Sequence, residues 1–207
     1  MIQSLLEFLV PSILLTLSPG PDIIYVLIVS IRKGFKDGFL LSLGLVSGII
    51  VHVSLVAFGV SAIIKASPHL YLAIKVCGAA YLLYLAYKVY KSPAEIDFKQ
   101  SSSQIQSRGL YAQGFIMNVL NPKVTLFFLA FFPSFLWDLE HHKIAQFYTL
   151  GLVFMLQAIL IFGAVAYLCQ YLYTYLKNHP HSSIVLKYTQ VLVFISIAVF
   201  ILLDHEY

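Results

Sequence analysis

Residues 2–31 read IQSLLEFLVPSILLTLSPGPDIIYVLIVSI, and this stretch decides the class of fold. Its 30 residues include only two charged side chains, Glu7 and Asp22. A helix that crosses a bilayer needs about 20 mostly apolar residues, so the stretch is long enough to span the membrane. As one straight helix it would be about 45 Å long, against a hydrocarbon core of about 30 Å. The sequence therefore predicts a transmembrane helix that is tilted or broken.

The composition of the whole chain agrees with a membrane protein. Of 207 residues, 60% are hydrophobic and 11% are charged, whereas soluble domains carry roughly 45–50% apolar and about 25% charged residues. The same values exclude a disordered chain, which is poor in apolar side chains. A net charge of +4 without a basic stripe interleaved with aromatic residues argues against nucleic-acid binding. Cys77 and Cys169 stand alone in apolar runs, so the sequence predicts no disulfide, no metal site and no other cofactor.

Six apolar runs are long enough to cross a bilayer, and together they occupy nearly the whole chain. We therefore predict an all-α membrane protein with six transmembrane helices that forms one domain over residues 1–207. The longest polar connection, Lys88–Arg108, joins two halves of about 1–92 and 108–207. The predicted spans are Ile2–Ile31, Phe39–Ile64, Leu70–Tyr87, Leu110–Leu136, Ala145–Leu176 and Ile184–Leu203.

The lysine and arginine residues between the spans predict the orientation, because cytoplasmic loops carry an excess of both. Loops one, three and five contain nine of them, whereas the other loops and the termini contain two, Lys65 and Lys143. The sequence therefore predicts that the odd-numbered loops are cytoplasmic and that both termini lie on the external, periplasmic side. The nine residues are Arg32, Lys33, Lys36, Lys88, Lys91, Lys99, Arg108, Lys177 and Lys187.

The first and fourth runs are each interrupted by proline, at Ser18–Asp22 and at Asn118–Lys123. Each proline removes the hydrogen bond to the carbonyl four residues earlier, which frees the carbonyls of Leu15, Leu17 and Asn118. Proline-broken helices at corresponding positions of two halves indicate a transporter whose binding site lies at the interface of an inverted repeat. Because three helices per half reverse the orientation of the second half, we predict a 3+3 inverted repeat. Two ordinary proline kinks are the alternative.

Asp22 and Lys123 each follow the proline of a break, near the middle of the bilayer, where a charge costs at least about 2.5–3.5 kcal/mol. Each is the other's most plausible partner, either in a ligand site or as a structural ion pair. A zwitterionic solute needs partners for both charges. Helix N-termini and Lys123 suit its carboxylate, whereas Asp22 and the freed carbonyls suit its ammonium. The predicted substrate-binding residues are Ser18, Pro19, Gly20, Pro21, Asp22, Asn118, Asn121, Pro122 and Lys123.

His52 lies at the centre of the second run, on a stripe with Gly44, Gly48 and Gly59. Small residues let helices approach closely, so His52 is predicted to point into the bundle. The glycine stripe packs either within the bundle or between the protomers of a homo-oligomer. Histidine titrates near neutral pH, so His52 and Asp22 are the candidates for proton coupling. An interhelical hydrogen bond is the alternative role for His52.

Two more polar residues lie inside the spans. Gln157, midway along the fifth run, is predicted to make an interhelical hydrogen bond. Lys75 lies within two turns of the external boundary and is predicted to extend its ammonium to the interface there.

Four stretches of the chain resemble the LysE-type amino-acid exporters, in the branch that includes homoserine, threonine and leucine exporters. They are LSPGPD at 17–22, RKGFKDGFLLSLGLVSGIIVHVSLVAFGVSAI at 32–63, KVCGAAYLLYLAYK at 75–88 and GFIMNVLNPKVTLFFLAFFPSF at 114–135. The resemblance implies a six-helix protein of the bacterial inner membrane that moves amino acids outward in exchange for protons. The family's motif positions fall on Pro19, Gly20, Pro21, Asp22, Asn121, Pro122 and Lys123. Many relatives carry asparagine where Asp22 stands.

The sequence therefore predicts a secondary transporter that exports a small amino acid or a derivative, with protons and the lipid bilayer as its other partners. A membrane enzyme is disfavoured, because the chain has no GxSxG, HExxH or paired-cysteine signature. An exporter of another small solute, a metal-ion exporter and a passive channel remain as alternatives. Single charges at each break do not form the rings of a channel filter. The pair His141-His142 offers only two ligands to a metal.

Overall fold

The computed structural model describes residues 1–60, 68–93, 109–138 and 141–203, and every regular element in these ranges is helical. Most of the central connection that joins the predicted halves lies outside the described residues. The α-helices are α1 (Ile2–Leu17), α2 (Pro21–Lys33), α3 (Phe35–Leu55), α4 (Pro68–Lys91), α5 (Leu110–Val119), α6 (Pro122–Leu126), α7 (Lys143–Tyr167), α8 (Cys169–Asn178) and α9 (Pro180–Leu203). A π-helical turn, Val56–Val60, extends α3, and a π turn at Phe127–Phe131 with a 3₁₀ turn at Phe132–Phe135 extends α6.

Four helices are long and apolar enough to cross a membrane individually: Phe35–Gly59, Leu72–Lys91, Lys143–Tyr167 and His181–Leu203. Two bent pairs meet the same requirement together. α1 and α2 meet at 57°, and α5 meets the helical segment Pro122–Phe135 at 47°. If each bent pair is one span, the described chain has six spans. The all-α membrane class is thus confirmed.

Each bend has a local cause in the sequence. α1 ends at Leu17, and Gly20 has an extended backbone before Pro21 occupies the first position of α2. α5 ends at Val119, and Asn121 caps α6, which Pro122 begins. Proline suits the first turn of a helix, because its missing N–H has no intrahelical partner there. The prolines therefore start the second member of each pair.

Helix α3 is central to the bundle and packs against α2, α5 and α7, whereas α4 packs mainly against α9. Gly44 and Gly48 let α5 approach α3 closely. A Cβ at Gly44 would collide with the Tyr111 carbonyl, and a Cβ at Gly48 would lie 2.8 Å from Asn118 Oδ1. In return, Gly114 of α5 faces the Leu41 carbonyl. The glycines at 44 and 48 therefore pack within the bundle, and this contact brings Asn118 against α3.

Buried phenylalanines fill the space beside the two breaks. Phe8 of α1, Phe127 and Phe128 of the π turn, and Phe154 of α7 form a cluster with ring centroids 5.2–6.3 Å apart. Buried aromatic rings add to stability through edge and tilted contacts. The cluster fixes α1 and α7 to the segment that follows α6.

Two sequence predictions need correction. Lys75 is only 4% exposed and does not extend into open solvent, because its face of α4 is covered at Gly78, which packs on Ala130. The fifth predicted span, Ala145–Leu176, is too long. α7 ends at Tyr167, and α8 begins at Cys169 as a separate helix whose tyrosines, Gln170 and Lys177 make it amphipathic.

Candidate functional site

The two breaks meet at a small cavity of about 30 Å³. Seven of the nine predicted binding residues line it: Ser18, Gly20, Pro21 and Asp22 from the first break, and Asn118, Asn121 and Lys123 from the second. Pro19 lies on the opposite face of the first break, and Pro122 is exposed outside the cavity. The structure thus brings the polar members of both motifs together.

Asn121 is the residue that joins the two breaks. Its Nδ2 donates a hydrogen bond of 2.7 Å to Asp22 Oδ2, and its Oδ1 accepts one of 3.0 Å from the backbone N–H of Lys123. The second bond caps α6, because an asparagine side chain at this position accepts from an N–H without an intrahelical partner. One amide therefore holds Asp22 of the first break and starts the helix that carries Lys123.

Lys123 reaches across to the end of α1. Its Nζ donates to the carbonyls of Leu15, at 2.9 Å, and Ser18, at 3.1 Å. The Leu15 carbonyl is the one that Pro19 deprives of a helical partner, so the lysine replaces a missing backbone N–H. Within the described chain, no ion pair joins Asp22 to Lys123 directly. Asn121 bridges the two break motifs.

Three polar oxygen atoms at the cavity are buried without a hydrogen-bond partner among the described residues. They are Ser18 Oγ, Asp22 Oδ1 and Asn118 Oδ1. The Ser18 and Asn118 residues are only 2% and 4% exposed. A buried polar atom left unpaired costs about 1–3 kcal/mol, so three in one place call for a functional explanation. All three can accept a hydrogen bond, and together they form a surface suited to a donor group with a positive charge.

The rest of the cavity wall is apolar and includes Ile49, Val124, Phe154 and Phe162. A water molecule needs about 10–15 Å³ of accessible volume, so this cavity has room for about two waters. An amino acid is several times larger. The cavity of this structure is therefore contracted relative to the size that an amino acid would need.

His52 lies directly behind the cavity rather than in its wall. The imidazole is buried, stacks on Phe128, and places Nε2 3.1 Å from the carbonyl oxygen of Asn118. Because a carbonyl only accepts, Nε2 carries a proton and donates. The prediction that His52 points into the bundle is therefore correct. Asn118, which lines the cavity, accepts this hydrogen bond through its backbone carbonyl.

Two other hydrogen bonds cross between helices near the site. Gln157 Nε2 donates to Thr16 Oγ1 at 2.9 Å, which confirms the interhelical bond predicted for Gln157. Gln113 Nε2 donates to Tyr25 Oη at 2.7 Å and links α5 to α2, one turn from Asp22. This second bond was not predicted from the sequence. Its only signal is that each residue lies within a turn or two of a break.

The described residues contain no group of three or more His, Cys, Asp or Glu side chains that could hold a metal ion. Cys77 is exposed and Cys169 is buried, and both are free thiols.

Comparison with known proteins adds independent information. Residues 13–205 match the family described as "LysE type translocator". The chain is 30% identical to the homoserine/homoserine lactone efflux protein of Salmonella typhi over 172 residues, which cover 83% of this chain and 82% of that protein. It is 30% identical to the leucine efflux protein of Salmonella choleraesuis over 145 residues, or 70% of this chain and 68% of that protein.

A third relative, the uncharacterized membrane protein YrhP of Bacillus subtilis, is 29% identical over 199 residues, which cover 92% of this chain and 94% of that protein. No solved structure matches the chain. The family match covers nearly the whole chain, including both breaks and every residue that lines the cavity between them. The chain therefore belongs to the LysE type translocator family.

Proposed function

We propose that this protein is a secondary transporter that exports a small amino acid or a close derivative from the cytoplasm, in exchange for protons. The observation that carries the proposal is the cavity between the two breaks, which is lined by Lys123 and by three residues whose acceptor atoms have no hydrogen-bond partner within the described part of the chain. A free amino acid presents both an ammonium and a carboxylate. The cavity offers groups for both charges within a few residues of each other.

The substrate's ammonium is assigned to the acceptor atoms. Asp22 Oδ1 contributes the negative charge, and Ser18 Oγ and Asn118 Oδ1 contribute two further lone pairs. An ammonium has three N–H donors, so it can satisfy all three atoms at once. Hydrogen bonds to a charged group are about twice as strong as neutral ones, and here they also remove the cost of three unpaired atoms.

The substrate's carboxylate is assigned to Lys123 and the start of α2. Two of the three Lys123 N–H donors face the carbonyls of Leu15 and Ser18, which leaves one for a ligand. α2 is 13 residues long and has no side-chain cap among the described residues, so its first N–H groups carry positive partial charge toward Gly20. Gly20 also keeps the approach open, because a Cβ there would lie 3.6 Å from Lys123 Nζ.

Proton coupling is assigned to Asp22 and His52. Asp22 lies in the cavity, and His52 reaches it through Asn118. A proton on Asp22 competes with the substrate's ammonium for the same oxygen atoms. Unequal occupancy of the inward-facing and outward-facing states by protons then drives export, since a ligand shifts an equilibrium only by its different affinity for the two states.

The wider architecture is part of the same proposal. The two halves form a 3+3 inverted repeat, the odd-numbered loops face the cytoplasm, and both termini face the periplasm of a bacterial cell. The two bends provide the flexibility that opens the contracted site to either side. The efflux proteins named above for homoserine, homoserine lactone and leucine set the size range of the substrate.

Counterflow in vesicles reconstituted with the purified full chain tests the substrate site. Labelled homoserine, threonine and leucine are offered to the wild type and to the variants Asp22→Asn and Lys123→Met. We expect at least one amino acid to accumulate with the wild type and counterflow to be lost in both variants. Matched controls are Asp37→Asn and Lys36→Met, which remove the same charges at the start of α3, outside the cavity. Equal counterflow rates for Asp22→Asn and Asp37→Asn would show that the Asp22 carboxylate does not bind the substrate.

A second arm tests the coupling and the alternative functions. Collapse of the proton gradient should abolish accumulation, and His52→Ala should reduce gradient-driven accumulation more than it reduces the amount of folded protein. Normal transport with unchanged pH dependence in His52→Ala would assign the histidine to packing. Flux of a divalent cation without amino-acid counterflow would favour a metal exporter. Equilibration without accumulation in any gradient would favour a passive channel.

A further inference from the structure

A large apolar groove lies on the face of the first break that is turned away from the cavity. Its volume is about 500 Å³, and its walls come from the break with α2, the end of α7 with α8, and the start of α9. Leu17, Pro19, Leu27, Val165 and Leu186 are among its apolar wall residues. In a membrane such a surface faces hydrocarbon chains, so the natural occupant is lipid.

The polar residues of this groove belong to the end of α8, to the residue that links α8 and α9, and to the first turn of α9. Tyr175, His179, His181 and Ser182 supply hydrogen-bonding groups to its lining. α8 is amphipathic and rich in tyrosine, as expected of a helix that lies in the membrane interface. Headgroups lie at this depth, and acyl chains extend away from it.

The same end of the bundle is positively charged. Lys177 follows the wall residue Leu176 and is exposed. Tyr167, just before α8, contacts Phe35, so α8 starts beside the basic end of α2, Arg32-Lys33. Each lysine or arginine near a membrane surface contributes about 1 kcal/mol to the attraction of acidic lipids. The charge at this end therefore favours an anionic headgroup.

We infer that the groove is a binding site for an anionic phospholipid of the leaflet on the Arg32 and Lys177 side. One acyl chain lies along the apolar walls, and the phosphate lies near Lys177, His179 and His181. The inference is independent of the transported substrate, because none of these three residues lines the cavity.

A bound acyl chain would contact the wall of the proposed substrate site on the side that faces away from the cavity. In the break, Ser18 and Gly20 face the polar cavity, whereas Leu17 and Pro19 face the groove. Ile23 contributes to the walls of both. The backbone of residues 17–20 is thus the partition between lipid and site. An acyl chain in the groove supports the non-helical segment that must move when the site widens.

A second groove supplies an internal control. It has a volume of about 470 Å³ and lies between α1, the segment after α6, and the later half of α9. Its walls include Pro11, Leu14, Phe131 and Leu192, and its charged lining residue is Glu7. The two grooves are similar in size and apolar character and differ in charge. An acidic lipid should therefore select the first and not the second.

Native mass spectrometry of the purified full chain, with equal amounts of phosphatidylglycerol and phosphatidylcholine of the same acyl composition, tests the site. Val185→Trp fills the first groove and Leu192→Trp fills the second. Both residues are on α9, seven positions apart on one helix face, and they are 63% and 65% exposed, so neither change disturbs a buried core. We expect the wild type to retain phosphatidylglycerol preferentially, Val185→Trp to lose that retention, and Leu192→Trp to keep it.

A charge variant tests the headgroup site without filling the groove. Lys177→Gln should lower the ratio of phosphatidylglycerol to phosphatidylcholine about fivefold, the equivalent of about 1 kcal/mol. Lys143→Gln, which removes one charge at the opposite end of α7 from Tyr167, should leave the ratio unchanged. Equal retention of the two lipids by the wild type, or equal effects of Val185→Trp and Leu192→Trp, would overturn the inference. A lipid-free dimer that Val185→Trp dissociates would also overturn it, because a second copy would then fill the groove.

Discussion

Exchange of the polar groups of Asp22 and Asn121 tests the bridge between the two breaks. Asn121→Asp keeps the acceptor that caps α6 but places a second carboxylate 2.7 Å from Asp22 Oδ2. Asp22→Asn keeps an acceptor for Asn121 but removes the charge from the hydrogen bond. The double variant Asp22→Asn/Asn121→Asp restores a charged hydrogen bond with donor and acceptor exchanged.

The structure sets the expected magnitudes. A hydrogen bond to a charged group contributes about 1.5–3 kcal/mol to stability, against about 1 kcal/mol for a neutral one. Asp22→Asn should therefore lower the free energy of unfolding by about 1 kcal/mol. Asn121→Asp should lower it by about 2–3 kcal/mol or more, since a strong bond is replaced by repulsion. The double variant should return to within about 1 kcal/mol of the wild type, a coupling of about 2–3 kcal/mol.

Reversible unfolding in mixed micelles, titrated with a denaturing detergent, measures these free energies. Asn121→Ala provides the comparison for the cap, because it removes both the bridge and the acceptor for the Lys123 N–H. The loss of a cap costs about 1 kcal/mol. The free energy of unfolding of Asn121→Ala should therefore fall below that of the double variant by the contribution of the bridging hydrogen bond plus that of the cap. Strict additivity of the two single changes in the double variant would show that Asp22 and Asn121 do not interact. In that case Asp22 would need another partner.

Three further predictions concern packing, buried amides and topology. Gly44→Ala should destabilise the protein by about 1–3 kcal/mol, because its Cβ meets the Tyr111 carbonyl. At Gly59 a Cβ meets nothing within 4 Å among the described residues, so Gly59→Ala should change stability by less than about 0.5 kcal/mol. Equal unfolding midpoints for the two variants would refute the close approach of α3 and α5. Gln157→Leu should be nearly neutral, because it loses one hydrogen bond to Thr16 but also removes the unpartnered Oε1. Gln146→Leu on the same helix should cost about 3 kcal/mol or more, since it breaks four hydrogen bonds. A lower melting temperature for Gln157→Leu than for Gln146→Leu would contradict this. With Cys77 and Cys169 replaced by alanine, an impermeant thiol reagent added to intact cells should label His141→Cys and not Ser92→Cys, and labelling of both from one side would reject the proposed orientation.

The spans and their breaks could be predicted from the sequence, because a bilayer restricts the chain strongly. Backbone groups in hydrocarbon must be paired, so spanning segments are helices of a fixed length, and an overlong run with a proline motif must bend. The predicted breaks at Ser18–Asp22 and Asn118–Lys123 met both conditions. The structure bends between Leu17 and Pro21 and between Val119 and Pro122. The prediction that His52 points into the bundle was correct, because His52 shares a helix face with Gly44 and Gly48, and that face packs closely against a neighbouring helix.

The pairing inside the site could not be predicted, because opposite charge alone did not determine it. Asp22 and Lys123 each lie at the second position of a new helix, and the backbone directions there decide what each side chain reaches. Asp22 meets Asn121, and Lys123 meets the end of α1. The amide of Asn121 and the freed carbonyl of Leu15 thus take the places that the sequence had predicted for Lys123 and Asp22. Lys75 shows the same limit, since its burial depends on how α4 packs and not on its depth in the span.

The position of Lys123 gives a physical reason why the proposed substrate should be a zwitterion. Its ammonium holds the carbonyls of Leu15 and Ser18, which close the end of α1. A ligand that carries only a carboxylate could bind the remaining N–H of Lys123, but it would leave Asp22 Oδ1, Ser18 Oγ and Asn118 Oδ1 unpaired, at about 1–3 kcal/mol each. An amino acid brings its own ammonium, which can bind Asp22 and the nearby oxygens while its carboxylate engages the lysine. Substrate binding would then join the two breaks through one ligand, because its ammonium binds Asp22 and Ser18 of the first break and its carboxylate binds Lys123 of the second.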